Sequence, residues 1–208
     1  MPWNYKRVLR VYREMNLNLP RRTKKRLPRR ERQTLEVPCA LNAIWSFDFM
    51  GDALYLGPRF QVLNILDEGV REALDIVVDT SIPGARLVRA LDQIAQWRGY
   101  PSAIRCDNGP EALSQVFIDW CEQHGIEILY IQPGKPNQNA FIERFNRTYR
   151  NEVLDVHLFT TLHQVRELSY RWLRTYNEIR PHESLGGLPP ALFAEQLMAE
   201  NSSFELST

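Results

Sequence analysis

The order of the apolar runs constrains this chain most. Three strand-like runs come first, at residues 43–50, 59–67 and 73–79, separated only by short turns. Turns that short favour antiparallel pairing. From Pro83 the period changes to that of a helix, with Leu87, Leu91, Ile94 and Trp97 recurring on one side. Gly99-Tyr100-Pro101 ends that helix, and a fourth strand follows at 103–107. A second helix is predicted over 112–123, with Leu113, Val116, Phe117 and Trp120 turned inward, and Gly125 stops it. A fifth strand covers 126–131. A loop at 133–138 leads to a helix capped by Asn139 and running to about residue 155. The last long helix is predicted over 162–179, on Val165, Leu168, Trp172, Leu173 and Tyr176.

Three meandering strands followed by strand–helix units predict an α/β protein with a mixed five-stranded sheet flanked by helices. That order is the order of the ribonuclease-H-like fold. In such a sheet the first and fourth strands are neighbours, and the helix after the fifth strand packs across them.

Three acids stand out against this framework. Asp48 interrupts the first strand between Phe47 and Phe49, Asp107 ends the fourth strand, and Glu143 lies in the first turns of the helix after the 133–138 loop. Thirty-five residues separate the last two. Acids on core elements cost free energy unless something compensates them, and divalent cations are one common compensation. Converging carboxylates would repel and raise one another's pKa, whereas two Mg²⁺ ions about 3.5–4 Å apart would offset them. Oxygen-only ligands favour Mg²⁺ or Mn²⁺ over zinc. Two such metals suit in-line attack at phosphorus. There is no Ser-His or Cys-His constellation and no P-loop, so water or a nucleic-acid hydroxyl is the expected nucleophile. Each acid also has a plain alternative. Asp107-Asn108-Gly109-Pro110 is good turn chemistry, and Glu143 suits a helix N-terminus. Asp48 has the weakest structural excuse, and Asp67 is read as structural.

The net charge of +1 conceals an asymmetry. Residues 1–32 carry twelve Lys or Arg against two acids, a net of +10, which leaves −9 for the rest. A basic arm on an acidic body points to a nucleic-acid contact through Arg21, Arg22, Lys24, Lys25 and Arg26. The alternative is a solvated tail. Residues 4–16 read as a short helix and 21–38 as an extended linker. Arg147 and Arg150 follow Glu143 at i+4 and i+7, so they share its face as phosphate contacts or as a solvated basic surface. Lys135, Asn137 and Asn139 sit beside the expected site, as DNA contacts or as turn and cap residues. Phe141 and Phe145 read as core. Cys39, Cys106 and Cys121 form no CxxC pair and read as reduced thiols. No run is long enough to span a membrane and no signal pattern is present, which leads to a cytoplasmic expectation.

The segments Trp45-Ser46-Phe47-Asp48-Phe49, Asp107-Asn108-Gly109-Pro110-Glu111 and Pro133 through Phe145 resemble the integrase catalytic core of bacterial insertion-sequence transposases. The similar group is encoded in two overlapping frames, the second carrying the catalytic domain, and the tail from Tyr176 to Ala191, with Arg180-Pro181-His182, is similar too. The resemblance covers about residues 40–195. It implies a DDE recombinase in which Asp48, Asp107 and Glu143 hold two Mg²⁺ ions, cut an element end to a 3′-hydroxyl and drive strand transfer. It also implies homo-oligomeric assembly on DNA, both element ends and target, with a first-frame helix-turn-helix protein as a further partner and the nucleoid as the place of work. The resulting layout is a basic helix and linker at 1–38, a catalytic core at 39–157 and a helical extension at 158–208. Two other readings are a catalytically silent DNA-binding or assembly partner and a ribonuclease-H-type nuclease. The Pro133–Phe145 segment favours the transposase branch over the nuclease.

Overall fold

A computed structural model of the chain describes residues 4–15, 17, 40–132 and 139–205. The expected linker at 21–38 and the loop at 133–138 lie outside the described residues, as do Cys39, Arg21, Arg22, Lys24, Lys25, Arg26, Lys135 and Asn137. The chain divides into two compact units, residues 1–34 and 35–208. In the first, α1 (Tyr5–Glu14) starts where the Asn4 side chain accepts from the Lys6 backbone N–H at 3.0 Å. None of its residues is buried.

The second unit is built on five strands, β1 (Ile44–Ala53), β2 (Arg59–Asp67), β3 (Glu72–Asp79), β4 (Ala103–Cys106) and β5 (Glu127–Tyr130). They stand in the order β3-β2-β1-β4-β5. The first three pair antiparallel, and β4 joins β1 and β5 in parallel. This is the expected mixed sheet, with β1 and β4 side by side. Two-residue alternation divides the side chains between two cores. On one face Trp45, Phe47, Leu63, Ile65 and Ile104 pack under α2 (Gly84–Arg98) and α3 (Gln115–Gln123). On the other, Phe60, Val62, Leu66, Ile76 and Val78 pack under α4 (Ala140–Tyr149) and α5 (Leu162–Glu178). A π-helical turn at Arg150–Leu154 continues α4, and α6 (Pro190–Glu205) packs on α5 and β3.

The expected inward faces need three corrections. Trp97 is 61% exposed, because Arg98 holds the core-facing position at the end of α2. Its guanidinium reaches the fully buried Asp67 at 3.0 Å and also pairs with Glu72. Asp67 accepts further bonds from the backbone N–H groups of Asn42 and Gly69, which establishes it as a structural acid. Leu113 and Val116 are exposed, since α3 begins after Ser114 and its buried stripe is Phe117, Trp120 and Cys121. Asn139 makes no side-chain cap, although α4 begins directly after it.

β3 is an edge strand, and α5 closes part of that edge. The Asn177 side chain accepts from Ala73 N–H at 2.9 Å and donates to Ala73 C=O at 2.8 Å, taking the place of a neighbouring strand. A capping box between Thr161 and Gln164 sets the start of α5.

Candidate active site

β1 carries Asp48 on the face of α4, between Ser46 and Met50, while Phe47 and Phe49 turn to the opposite core. The carboxylate has two donors. Its Oδ1 accepts from Phe49 N–H at 2.8 Å, and its Oδ2 accepts from the Asn146 side chain at 2.7 Å. Burial nevertheless dominates. It pushes the Asp48 pKa up to about 6, and the charges of Asp107 and Glu143 push the same way against the two hydrogen bonds. Asp107 and Glu143 are therefore near enough for their charge to be felt at Asp48.

Asp107 follows directly on β4, whose parallel register with β1 places Ser46 opposite Arg105. The acid is exposed, and its Oδ1 accepts from Gly109 N–H at 3.0 Å. It therefore makes the turn that its sequence anticipates, while its charge still acts on Asp48. Gly109 permits this fold, since a Cβ there would stand 3.0 Å from Asp107 Oδ1 and 3.4 Å from Glu111 Oε2. Glu111 thus brings a further carboxylate to the same loop, one the sequence reading did not single out.

Glu143 is exposed in the first turn of α4. Ile142, Phe145 and Tyr149 bury the opposite side of that helix, and Tyr149 Oη meets Ser169 Oγ at 2.6 Å. α4 packs chiefly on β1 and β2, one strand over from the expected β1–β4 seam. Among the described residues, no three His, Cys, Asp or Glu side chains stand close enough to hold an ion as placed. The donor chemistry nonetheless fits a hard divalent cation. All three groups offer oxygen, and Asp48 retains a proton more readily than a free aspartate.

The basic residues divide. Arg147 is exposed on the face of Glu143. Arg150 lies within 3.6 Å of Asp52 and 3.8 Å of Asp155, and donates to Gly51 C=O at 3.0 Å. Asn139 is buried, with a side-chain oxygen that meets no partner among the described residues. His182 packs edge-on against Tyr176 at 4.9 Å. Burial, with Arg180, Arg144 and Arg71 adding to it, lowers its pKa to about 4, so the ring is neutral at physiological pH. Arg180 pairs with Glu152.

Sequence reasoning missed Asn64 and Asn146. Asn64 lies between Leu63 and Ile65 inside an apolar strand, the same anomaly that marks Asp48. Asn146 lies three residues after Glu143 on a helix face that looked ordinary.

The mixed five-stranded sheet in the order β3-β2-β1-β4-β5, with helices on both faces, defines a ribonuclease-H-like protein. The catalytic core of the HTLV-2 integrase, solved in complex with magnesium in a trimeric form, matches with a TM-score of 0.59 at 20% identity, covering 77% of this chain and 99% of that one. The core of the BIV integrase matches with a TM-score of 0.56 at 17% identity, covering 78% and 99%. The Integrase core domain family matches residues 40–136 and, through a second description of the same domain, residues 124–190. An uncharacterized 31.7 kDa protein of insertion element IS407 from Burkholderia multivorans is 46% identical over 92% of this chain and 69% of its own length. An uncharacterized 39.2 kDa protein of insertion element IS476 from Xanthomonas euvesicatoria is 47% identical over 96% of this chain and 58% of its own. The chain belongs to the integrase-core transposases of bacterial insertion sequences. It spans 58% and 69% of the lengths of these two relatives.

Proposed function

We propose that this chain carries the cutting and joining chemistry of a DDE-type DNA transposase. Asp48, Asp107 and Glu143 hold two Mg²⁺ ions, with Mn²⁺ as a substitute, and the site opens an element end to a 3′-hydroxyl and transfers that end to target DNA. The observation that carries this reading is the placement of the acids on adjoining elements, with Asp48 on β1, Asp107 directly after the neighbouring β4, and Glu143 on α4, which packs on β1. When bound, the ions activate the attacking oxygen and stabilise the leaving oxygen. Asp48 is the fixed member, held by two donors. Asp107 and Glu143 are exposed, so their side chains are free to turn towards it.

Arg147 is the foremost candidate for a backbone phosphate beside the acids, because its guanidinium is exposed on the face of Glu143. Arg150 joins it only by releasing Asp52 and Asp155. Lys135, Asn137 and the basic residues Arg21, Arg22, Lys24, Lys25 and Arg26 contact the DNA backbone, whereas the buried Asn139 side chain is withdrawn from that role. The active form is a homo-oligomer on DNA ends, assisted by a first-frame helix-turn-helix protein, in the cytoplasm at the nucleoid. The HTLV-2 core, solved as a trimer and as a dimer, supports the oligomeric reading by analogy.

The test supplies Mg²⁺ and a pre-nicked element end carrying a 3′-hydroxyl. Wild type is expected to join strands, and Asp107→Asn to lower joining by roughly a hundred- to a thousandfold, the size of effect seen when an essential electrostatic group is lost. Equal behaviour of the two proteins, with DNA binding intact, would move the chain to the silent-partner reading.

A further inference from the structure

We infer that Asn146, its amide oriented by Asn64, is a positioning residue that presents the Asp48 carboxylate to a divalent cation. The inference rests on the metal-binding reading above and adds two residues outside the acidic triad.

Asn64 is fully buried in the middle of β2, directly opposite Asp48 in the antiparallel register. An amide in apolar surroundings is costly unless it is hydrogen-bonded. Asn146 comes down from α4 to the same point and is 7% exposed. Asp48 as a carboxylate can only accept, so the amide nitrogen of Asn146 must face it, at 2.7 Å. The amide oxygen of Asn146 is thereby directed at Asn64, whose nitrogen donates to it at 2.7 Å. Each group leaves the next only one workable orientation. The same nitrogen of Asn64 also lies 3.2 Å from the Met50 sulfur.

This arrangement does two things. It turns Asp48 so that one lone pair on each oxygen is taken by Asn146 or by Phe49 N–H, leaving the others for a cation. It also ties β1 to α4 within one turn of Glu143, fixing the strand that carries one acid to the helix that carries another. Outer partners of metal-bound carboxylates tune affinity by orienting the ligand, and losing one weakens metal binding by roughly 10–100-fold.

The experiment measures Mn²⁺ binding to the full chain at neutral pH by electron paramagnetic resonance of the free ion. Thermal unfolding without metal shows which variants are folded. Asn146→Ala is expected to weaken Mn²⁺ binding roughly 10–100-fold while staying folded. Asn64→Leu, which keeps the branched shape and removes the donor, is expected to weaken it in the same direction. The double variant should bind no worse than Asn146→Ala, because both residues act through one chain of bonds. If Asn64→Leu does not fold, Asn146→Ala decides alone. Unchanged Mn²⁺ affinity in folded Asn146→Ala overturns the inference, and additive losses overturn the part assigned to Asn64. Asp48→Asn separates the two levels. If it too binds Mn²⁺ like wild type, the metal reading itself fails. If it loses the ion while Asn146→Ala keeps it, only the positioning role fails.

Discussion

Asp48 is a carboxylate placed where burial opposes its charge, and this gives the protein a readable pH dependence. Its folded pKa, about 6, stands above the ordinary value of 3.8, so the folded state without metal takes up the proton more readily than the unfolded state. The sign follows from linkage. The penalty is absent below the ordinary value, grows as pH rises through about 6, and is full above it. A bound cation reverses the balance, because it requires the ionised form. Mg²⁺ is therefore expected to raise the melting temperature at neutral pH. Below about pH 6, affinity should fall roughly tenfold per unit as one proton competes for the site. A thermal-shift titration across that range checks it, and Mg²⁺ stabilisation that is flat with pH would contradict the role of Asp48. This residue was legible from sequence because an acid between two phenylalanines in a strand has few structural uses. Asn64 carried the same sign and passed unread, since its partner lies 82 positions away on another element.

Among the elements, α2 shows how far helical spacing reaches. The spacing located the helix and its Leu87, Leu91 and Ile94 stripe, but it assigned Trp97 to the interior. Sequence periodicity ranks residues by apolarity, and it has no means of knowing that an arginine is wanted below. Arg98 is wanted because Asp67 is buried at the end of β2, and its side chain is 3% exposed between Asp67 and Glu72. Removing one partner leaves an uncompensated buried charge, so Arg98→Ala is expected to lose about 3–5 kcal/mol in urea unfolding. Thr161→Ala, which deletes half of the α5 capping box, should lose only about 1 kcal/mol. A loss at Arg98 no larger than that at Thr161 would mean that the buried charges of Asp67 and Glu72 find other partners. Where sequence placed Asn139 as a cap, the helix begins without it, because the Asn139 side chain is turned into the interior.

For the molecule as a whole, charge is the organising quantity. The first 32 residues carry +10 and the rest −9, so DNA attraction is expected to reside in the arm and in isolated sites such as Arg147. Deleting residues 1–32 should weaken DNA binding and flatten its dependence on salt. Arg147→Ala should reduce the slope of log K against log salt by about 0.9, the contribution of one phosphate contact. Binding curves across a salt titration decide both, and a slope unchanged by the deletion would remove the arm from the DNA interface.

The sequence by itself determined the element order and the mixed character of the sheet, and it nominated the three acids, because those follow from local period and from polar residues in apolar runs. It also contained enough of the Pro133–Phe145 segment to point to a family that the comparisons then bore out. Only the tertiary structure decided which neighbours each of these groups has. It showed that α4 rests on β1 and β2, that Arg150 is engaged by two acids, and that two asparagines join Asp48 to the helix of Glu143. The reason is physical. Period and composition are properties of consecutive residues, whereas the pKa of Asp48 and the orientation of Asn146 depend on groups that meet only after the chain has folded.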